Sequence, residues 1–254
     1  MTQLYDEIGV GYRALRRPEP RIASAIARAL GEAESVVNVG AGAGSYEPSD
    51  RSVVAVEPSM TMIRQRRPGS GPAIQASATR LPFRDASFAA ALAVLTVHHW
   101  PDRARGLDEL ARVAANRVVI LTWDPAVSGF WLVDDYFPEI VEIDRLIFPT
   151  LDEFRRALGR VEVSPLPIPH DCVDGFLGAY WRRPEAYLDA DIRRAISTFS
   201  KIRTLEAGLA KLREDLGDGT WRRRHGDLLD RTELDLGYRL VVSTRNRSTG
   251  PSIG

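Results

Sequence analysis

A run of alternating glycines and one acidic residue carry the clearest chemical signal in this sequence. The run GAGAG, residues 40–44, follows a short apolar stretch at 36–39, and Glu57 ends a second apolar stretch at 53–56. Glycine lets a backbone turn sharply and lets a ligand approach it closely, because no Cβ stands in the way. A carboxylate at the end of the next strand can accept hydrogen bonds from the hydroxyls of a ribose. The pattern therefore predicts a site for a nucleoside-containing cofactor.

The spacing of the glycines distinguishes between two kinds of cofactor. The dinucleotide fingerprint is GxGxxG, and its third glycine would fall at Ser45. In this chain the third glycine is Gly44, one position early. A glycine-rich turn is by itself a weak signal, because such turns also occur in plain loops. A nicotinamide-dependent oxidoreductase is therefore only an alternative. The order of the strands and helices that follow distinguishes it from other proteins that bind a nucleoside cofactor.

The elements after the second strand follow in a regular order. Short apolar runs predict strands over residues 73–78, 89–97 and 117–122, and an amphipathic pattern predicts a helix over residues 105–114. Strands that alternate with helical patterns are typical of an α/β fold with a mostly parallel sheet.

This order of motifs resembles the class I S-adenosylmethionine-dependent methyltransferases, particularly the small-molecule branch that includes quinone-biosynthesis methyltransferases. The resemblance covers roughly residues 5–124, and its motifs are specific as a set rather than singly. It implies a Rossmann-like, seven-stranded, mostly parallel sheet with helices on both faces, and S-adenosylmethionine as the cofactor. It also implies that the cofactor is bound by Asn38, Gly40, Ala41, Gly42, Glu57, Pro58, Met62, Ser77, Ala78 and Leu95.

Three positions depart from the usual pattern of that family. An acid commonly stands where this chain has Asn38, and an aspartate is common where it has Ser77 and Ala89. Asn38 can still form a hydrogen bond with the amino group of the cofactor, but it offers no charge. Ser77 accepts a hydrogen bond more weakly than a carboxylate does. We therefore expect the same binding mode with modest affinity.

The second half of the chain is longer than a minimal α/β fold requires. The pattern predicts a helix over residues 151–158, a strand over 160–168 and a final antiparallel strand over 237–244. Residues 170–236, between the last two strands, far exceed an ordinary connection. We expect a helical insertion that caps the active site, within a methyltransferase domain of residues 1–169 and 237–246, followed by a flexible tail at 247–254. The helices of the insertion are predicted at residues 173–180, 184–199, 201–216 and 221–229.

Two adjacent histidines are the candidates for catalysis. His98 and His99 follow the fourth predicted strand, beside the position that the resemblance gives to the transferred methyl group. A neutral imidazole there could remove a proton from a hydroxyl, amine or thiol while it is methylated. The simpler interpretation is that one of the histidines only caps the strand.

Aromatic and polar side chains near the insertion are the candidates for binding the acceptor. Aromatic rings with one cation suit a polar aromatic or acidic ligand. The alternative is a packed helix whose aromatic side chains belong to the core. Metal binding is not expected, because the spacing of residues 170–174 matches no standard zinc pattern and Asp174 could cap a helix. The predicted acceptor-binding residues are Tyr12, Trp123, His170, Tyr180, Trp181 and Arg182.

Composition limits the class of substrate and the setting. Lys and Arg together number 34, and Asp and Glu together also number 34, so the formal net charge is +0. A nucleic-acid substrate is therefore not expected, since a broad phosphate-binding surface needs excess positive charge. The one cysteine, Cys172, excludes an intramolecular disulfide and fits the cytoplasm. No apolar run approaches the roughly 20 residues that span a bilayer.

The sequence thus predicts a cytoplasmic enzyme, a monomer or homodimer, that transfers a methyl group from S-adenosylmethionine to a small molecule. The accepting atom could be oxygen, nitrogen, sulfur or carbon. A non-catalytic, regulatory protein that binds a nucleoside cofactor is the main alternative, since Asn38, Ser77 and Ala89 depart from the family pattern.

Overall fold

The fold is built on one large sheet and a separate small one. The computed structural model describes residues 16–245, so the predictions for Tyr12 and for the tail at 247–254 lie outside the described residues. The strands of the large sheet are β1 (Ser35–Val39), β2 (Ser52–Val56), β3 (Ala73–Ile74), β4 (Phe88–Val94), β5 (Ala114–Trp123), β6 (Val161–Pro165) and β9 (Tyr238–Thr244). The small sheet pairs β7 (Ile168–Pro169) with β8 (Glu233–Leu234).

The large sheet has the order β3-β2-β1-β4-β5-β9-β6. The pairs among β1, β2, β3, β4 and β5 are parallel, whereas β9 runs antiparallel to both β5 and β6. Parallel strands covered on both faces appear in the sequence as continuous apolar runs, which is why β1, β2, β4 and β5 were visible there. The predicted seven-stranded, mostly parallel fold with an antiparallel final strand is confirmed.

Helices cover both faces of the sheet. Residues that alternate along a strand point to opposite faces, so Val36 belongs to one hydrophobic cluster and Val37 to the other. The helix after β4 and the helix before β6 pack on the Val37 face. The helices are α1 (Pro20–Leu30), α2 (Met60–Arg64), α3 (Arg103–Val113), α4 (Glu139–Ile147), α5 (Leu151–Leu158), α6 (Ala190–Arg194), α7 (Leu205–Gly217) and α8 (Thr220–His225).

Helices α1, α2 and α4 were not predicted from the sequence. Helix α1 begins with Pro20 at a favoured first position and buries Ile22, Ile26 and Leu30, four residues apart, on the Val36 face. Helix α4 follows a single π-helical segment, Leu132–Tyr136. Both patterns were readable in the sequence.

The insertion is less regular than predicted. Instead of a helix over 173–180 there is one 3-10 segment, Leu177–Tyr180. The helix predicted over 184–199 is divided into Pro184–Leu188, α6 and Ser197–Lys201, because the side chain of Asp189 accepts a hydrogen bond from the Asp191 amide and starts α6 afresh. The strand predicted over 160–168 stops at Pro165, since proline has no amide hydrogen for the ladder. The strand predicted over 73–78 is only Ala73–Ile74.

Trp181 lies in the interior and not on the wall of a binding site. Its side chain is fully buried, and its Nε1 donates a hydrogen bond to the Ile168 carbonyl at 3.0 Å. The Trp181 carbonyl in turn accepts a hydrogen bond from Trp131 Nε1 at 2.8 Å. Trp181 therefore joins the insertion to β7 and to the segment before α4. None of the helices within residues 16–245 is long and apolar enough to cross a membrane.

We expect Trp181→Ala to lower the free energy of unfolding by about 3–5 kcal/mol, because it empties a packed site and removes a buried hydrogen bond. Urea denaturation measures the change. Glu185→Ala, an exposed substitution four residues away, should change stability by less than about 0.5 kcal/mol. A Trp181→Ala protein as stable as the parent would show that this side chain is not part of the core.

Candidate functional site

A cavity of about 460 Å³ opens at the carboxyl ends of β1, β2, β4 and β5. This is the edge at which open α/β sheets bind ligands. The residues that the sequence assigned to the cofactor all line this cavity, and they come from four separate segments of the chain. They are Asn38, Gly40, Ala41, Gly42, Glu57, Pro58, Met62, Ser77, Ala78 and Leu95.

The glycine turn after β1 brings bare main chain to the cavity. Gly40 and Gly42 have φ angles of 71° and 53°, in the left-handed region that favours glycine. A Cβ on Gly40 would overlap the side chain of Thr96, so only glycine fits there. Residues 40–51 contain no helix between β1 and β2. The helix N-terminus on which a dinucleotide places its pyrophosphate is therefore missing from this turn.

Glu57 is held by two main-chain amides at the end of β2. Its Oε2 accepts from the Gly42 amide at 2.8 Å, and its Oε1 accepts from the Ser59 amide at 2.9 Å. Burial raises the pKa of this carboxyl, while the two amide hydrogen bonds oppose that rise. Each carboxylate oxygen keeps a lone pair for a further donor, which suits the two hydroxyls of a ribose.

Asn38 presents a hydrogen-bond acceptor in place of a charge. Its Nδ2 donates to Glu47 Oε1 at 3.1 Å, and Glu47 is fixed by a two-point ion pair with Arg66 at 2.7 and 2.8 Å. Because the carboxylate can only accept, the amide nitrogen of Asn38 must face it. The Asn38 side chain is buried, and its Oδ1 has no hydrogen-bond partner among residues 16–245. That oxygen suits an ammonium donor.

The remaining predicted cofactor residues form a small polar and apolar wall. Ser77 Oγ lies 2.9 Å from Thr79 Oγ1, and Met62 is buried beside the Gly42 turn. Leu95, just after β4, has a φ angle of 49°, which is a strained conformation for a side-chain-bearing residue. Strain of this kind concentrates at functional sites. Leu95 adopts this conformation where it lines the cavity.

His98 and His99 lie on the cavity wall in a short 3-10 segment, Val97–His99. Their ring centroids are 3.8 Å apart, and His98 stacks on Phe148 at 4.0 Å. Burial, together with positive charges at Lys201 and Arg16, lowers the pKa of His99 to about 3. Burial also lowers the pKa of His98 well below its ordinary value. Both rings are therefore neutral near pH 7 and accept protons weakly.

Trp123 also lines the cavity, at the end of β5. Its Nε1 donates to the Leu236 carbonyl at 2.6 Å, and its ring meets the edge of Phe148 at 5.6 Å. The indole is thereby held in one orientation and presents a fixed aromatic surface.

Four of the predicted acceptor-binding residues do not line this cavity: His170, Tyr180, Trp181 and Arg182. Arg182 donates a hydrogen bond to the Arg231 carbonyl oxygen at 3.1 Å. His170 Nδ1 lies 3.1 Å from the Thr232 carbonyl oxygen. Tyr180 packs edge-on against Tyr187, and Trp181 is in the core. Their position follows from the neighbouring small sheet, which directs this part of the insertion away from the strand ends. The residues of the insertion that do line the cavity are Phe176, Leu177, Ala195, Ile196, Ser197 and Thr198.

The start of the insertion is tied to the cavity rim by a buried carboxylate. Asp174 pairs with Arg16 Nε at 2.7 Å and accepts from the Tyr46 hydroxyl at 2.7 Å. It also accepts from the amide of Gly175 at 2.8 Å. The expectation that Asp174 caps a helix is wrong, because the next helical segment begins three residues later, at Leu177. The carboxylate is used instead to join distant segments.

Asp144 is a buried carboxyl of the cavity wall that was not predicted from the sequence. Asp144 lies in α4, is 1% exposed, and its Oδ1 has no hydrogen-bond partner among residues 16–245. Burial raises the pKa of its carboxyl to about 7. Ile140, Asp144 and Phe148 form one buried row at four-residue spacing. An acid within an apolar row of a helix was the signal that could have found it.

Comparison with known proteins agrees with this geometry. A family described as a methyltransferase domain matches residues 37–121. A crystal structure from Anabaena variabilis, described as a candidate methyltransferase from an antibiotic biosynthesis pathway, is 34% identical with a TM-score of 0.82. The match covers 91% of this chain and 99% of that one. The chain is a class I S-adenosylmethionine-dependent methyltransferase.

More distant structures share the fold of this methyltransferase. A Thermotoga maritima S-adenosylmethionine-dependent methyltransferase, described as a candidate histamine N-methyltransferase, is 16% identical with a TM-score of 0.58 and covers 97% of this chain and 100% of its own. The [4+2]-cyclase SpnF is 14% identical with a TM-score of 0.54, and the match covers 96% of this chain and 92% of that one. None of the curated proteins compared with the chain matches it. The quinone-biosynthesis branch stays a prediction, because no match specifies it.

The residues present fit the cofactor that the family uses. The glycine turn brings main chain to the cavity, and Asn38 and Glu57 keep acceptors for ammonium and hydroxyl donors. Within residues 16–245 there is no group of three or more His, Cys, Asp or Glu side chains that could hold a metal ion.

The burial of Asp144 predicts how stability depends on pH. Its pKa is about 7 in the folded protein against an ordinary value of 3.8, so the folded state holds the proton more tightly and loses stability as pH rises between these values. Asp144→Asn removes this loss. We expect the free energy of unfolding of the variant to be higher than that of the parent by on the order of 3–4 kcal/mol at pH 8. The difference should vanish near pH 4.

Urea denaturation at pH 4, 6 and 8 measures this difference. Glu142→Gln removes a carboxylate from the exposed side of the same helix. Its free energy of unfolding should match that of the parent at every pH. Parallel pH profiles for Asp144→Asn and the parent would show that the Asp144 carboxyl is not destabilised by burial.

Proposed function

We propose that this protein transfers a methyl group from S-adenosylmethionine to a small-molecule acceptor. The observation that carries the proposal is that one cavity joins the cofactor-type residues to an apolar chamber at the ends of β4 and β5. Its volume of about 460 Å³ falls within the usual range for small-molecule sites.

The strand order supports a division of the cavity into two ends. Glu57 ends β2 and Trp123 ends β5, and the order β2-β1-β4-β5 puts three strand spacings between them. At about 4.8 Å per spacing, the two ends are roughly 14 Å apart. A nucleoside held at β2 would therefore extend across β1 and point its reactive group toward β4.

Each cofactor-lining residue has a proposed role that follows from its contacts. Glu57 accepts from the ribose hydroxyls, and the free Oδ1 of Asn38 accepts from the ammonium group. Main chain at Gly40, Ala41 and Gly42 lies beside the methionine part. Pro58, Met62, Ser77 and Ala78 surround the adenine, and Leu95 lies below the sulfonium centre. When bound, S-adenosylmethionine supplies an electrophilic methyl group.

The far end of the cavity is proposed to hold the acceptor. Its wall combines Trp123, Phe148 and Tyr238 with Phe176, Leu177 and Ile196 from the insertion. The insertion thus acts as a cap, although through other residues than the sequence suggested. Such an enclosed, aromatic wall suits a small molecule with an apolar body. The Anabaena variabilis relative, described as belonging to an antibiotic biosynthesis pathway, supports a small-molecule acceptor.

His98 and His99 are proposed to position the acceptor and to exclude water. Their lowered pKa values make them weak proton acceptors, so the general-base role suggested by sequence is not the one we favour. A neutral ring nitrogen can still form a hydrogen bond with an acceptor hydroxyl or amine. Alignment of two reactants in a dry site contributes strongly to the rate of a displacement.

The cofactor assignment predicts a clear difference between two ligands. S-adenosylhomocysteine should bind, whereas NAD should give no heat, because no helix follows the glycine turn to receive a pyrophosphate. Isothermal titration calorimetry with each ligand measures this. Heat with NAD and none with S-adenosylhomocysteine would overturn the proposed function.

Glu57→Ala should weaken the binding of S-adenosylhomocysteine by about 1.5–3 kcal/mol, the range for hydrogen bonds to a charged group. Calorimetry measures the affinity, and thermal denaturation shows that the variant is folded. Glu109→Ala is the matched control, because Glu109 is also a buried carboxylate that accepts a main-chain amide, from Leu81 at 2.8 Å, but it lies outside the cavity. Equal affinity for the parent and a folded Glu57→Ala protein would mean that Glu57 does not hold the ribose.

A further inference from the structure

Asp144 differs from every other buried acid in the described part of the chain. Glu19 and Glu57 accept from main-chain amides. Glu109 pairs with Arg112, and Asp174 pairs with Arg16. The structure gives the Asp144 side chain no hydrogen bond or ion pair within residues 16–245, although Asp144 is only 1% exposed. A buried carboxyl without a partner is costly, and a site that keeps one is expected to use it.

Asp144 lines the acceptor end of the cavity. Phe148, one helical turn after Asp144, stacks on His98 and meets Trp123 edge-on. Tyr238 lines the same cavity as Asp144 and these two aromatic side chains. These neighbours stand at the ends of β4 and β5 and at the start of β9. Glu57 and Ser77 lie toward the opposite edge of the sheet, after β2 and β3.

The protein supplies no ion-pair partner for this carboxyl in the part of the chain that the structure describes. Lys201 acts on Asp144 only through its longer-range field, and it forms no ion pair with it. His98 and His99 are neutral near pH 7, and Tyr238 is a neutral phenol whose hydroxyl accepts from the Gly178 amide at 3.0 Å. A ligand bound in the cavity can supply the donor that Asp144 lacks within residues 16–245.

We propose that Asp144 binds an amino group of the methyl acceptor, and that the acceptor class is an amine with an aromatic or apolar body. An ammonium or amine N–H donates to the Asp144 carboxylate and, when protonated, balances its charge. The faces of Trp123, Phe148 and Tyr238 favour a cation by their ring quadrupoles and an apolar body by its contact area. This inference rests on the proposed function for its site, and it deepens that function by naming the acceptor class.

Direct binding without turnover tests the proposal. The probes are benzylamine, phenethylamine and tryptamine, each compared with the alcohol in which a hydroxyl replaces the amine. Calorimetry at pH 8 is done on the protein alone and on the protein saturated with S-adenosylhomocysteine, so that no methyl group can be transferred. We expect at least one amine to bind about tenfold or more tightly than its alcohol, a ratio that corresponds to 1.4 kcal/mol.

Two variants show whether Asp144 is responsible. Asp144→Asn keeps the size of the side chain but removes the charge, and it should reduce the amine to the affinity of the alcohol. Its affinity for S-adenosylhomocysteine should be unchanged. Glu142→Gln removes the same charge from the exposed face of α4, away from the cavity, and should keep the full preference. This control separates a contact from the general field of the helix.

The pH dependence of binding adds a readout that a merely structural role would not change. The probe amines stay protonated between pH 5.5 and 8, while Asp144 ionises as pH rises through about 7. Among the groups around it, His98 and His99 stay neutral in this range and Tyr238 stays protonated. The charged side chain that acts on Asp144 is Lys201. Amine affinity of the parent should therefore rise about tenfold from pH 5.5 to 8, and that of Asp144→Asn should stay flat.

Each result of these measurements decides the inference. Equal affinity for amines and alcohols, or a preference that survives Asp144→Asn, overturns it; tighter binding of the alcohols would instead assign Asp144 to a hydroxyl donor. An amine preference without any binding of S-adenosylhomocysteine would keep the amine site and reject the proposed function. Binding of S-adenosylhomocysteine without an amine preference would do the reverse.

Discussion

The hydrogen bonds from two main-chain amides to Glu57 hold together the edge of the sheet on which the site depends. Through Gly42 the carboxylate fixes the turn after β1, and through Ser59 it fixes the start of α2. Because β1 lies between β2 and β4, this turn also packs against Thr96 after β4, where Gly40 leaves no space for a side chain. One buried carboxylate thus sets the relative position of three strand ends.

Burial governs the electrostatics of the whole site. It raises the pKa of the carboxyls of Glu57 and Asp144 and lowers the pKa of His98 and His99, since a charge is less stable away from water. The wall is thereby biased toward neutral forms, and the charges of a ligand meet few competing charges. In such surroundings a single carboxylate or sulfonium has a strong influence. Asn38 and Asp144 are the residues of this wall whose buried side-chain oxygen has no hydrogen-bond partner within residues 16–245.

The insertion packs in the core and lines the cavity through different residues. Its large aromatic side chains, including Trp181, Tyr187 and Trp221, belong to the same hydrophobic cluster as the strands. Smaller segments around Phe176 and around Ile196 reach the cavity instead. Asp174 connects the two roles, because it anchors the start of the insertion to Arg16 and Tyr46 at the cavity rim. The aromatic richness of residues 176–187 was thus a property of the core and not of a substrate wall.

The sequence by itself determined the parts of this protein that are encoded within a few consecutive residues. Apolar runs specify the central strands, the GAGAG turn needs glycine for its φ angles, and Glu57 follows its strand directly. Only the tertiary structure decided which distant side chains share the cavity. Asp144 reaches it because α4 packs beside the ends of β4 and β5, and Trp181 misses it because β7 and β8 turn the insertion into the core. Such juxtapositions arise from packing between segments far apart in the chain, and no local pattern records them.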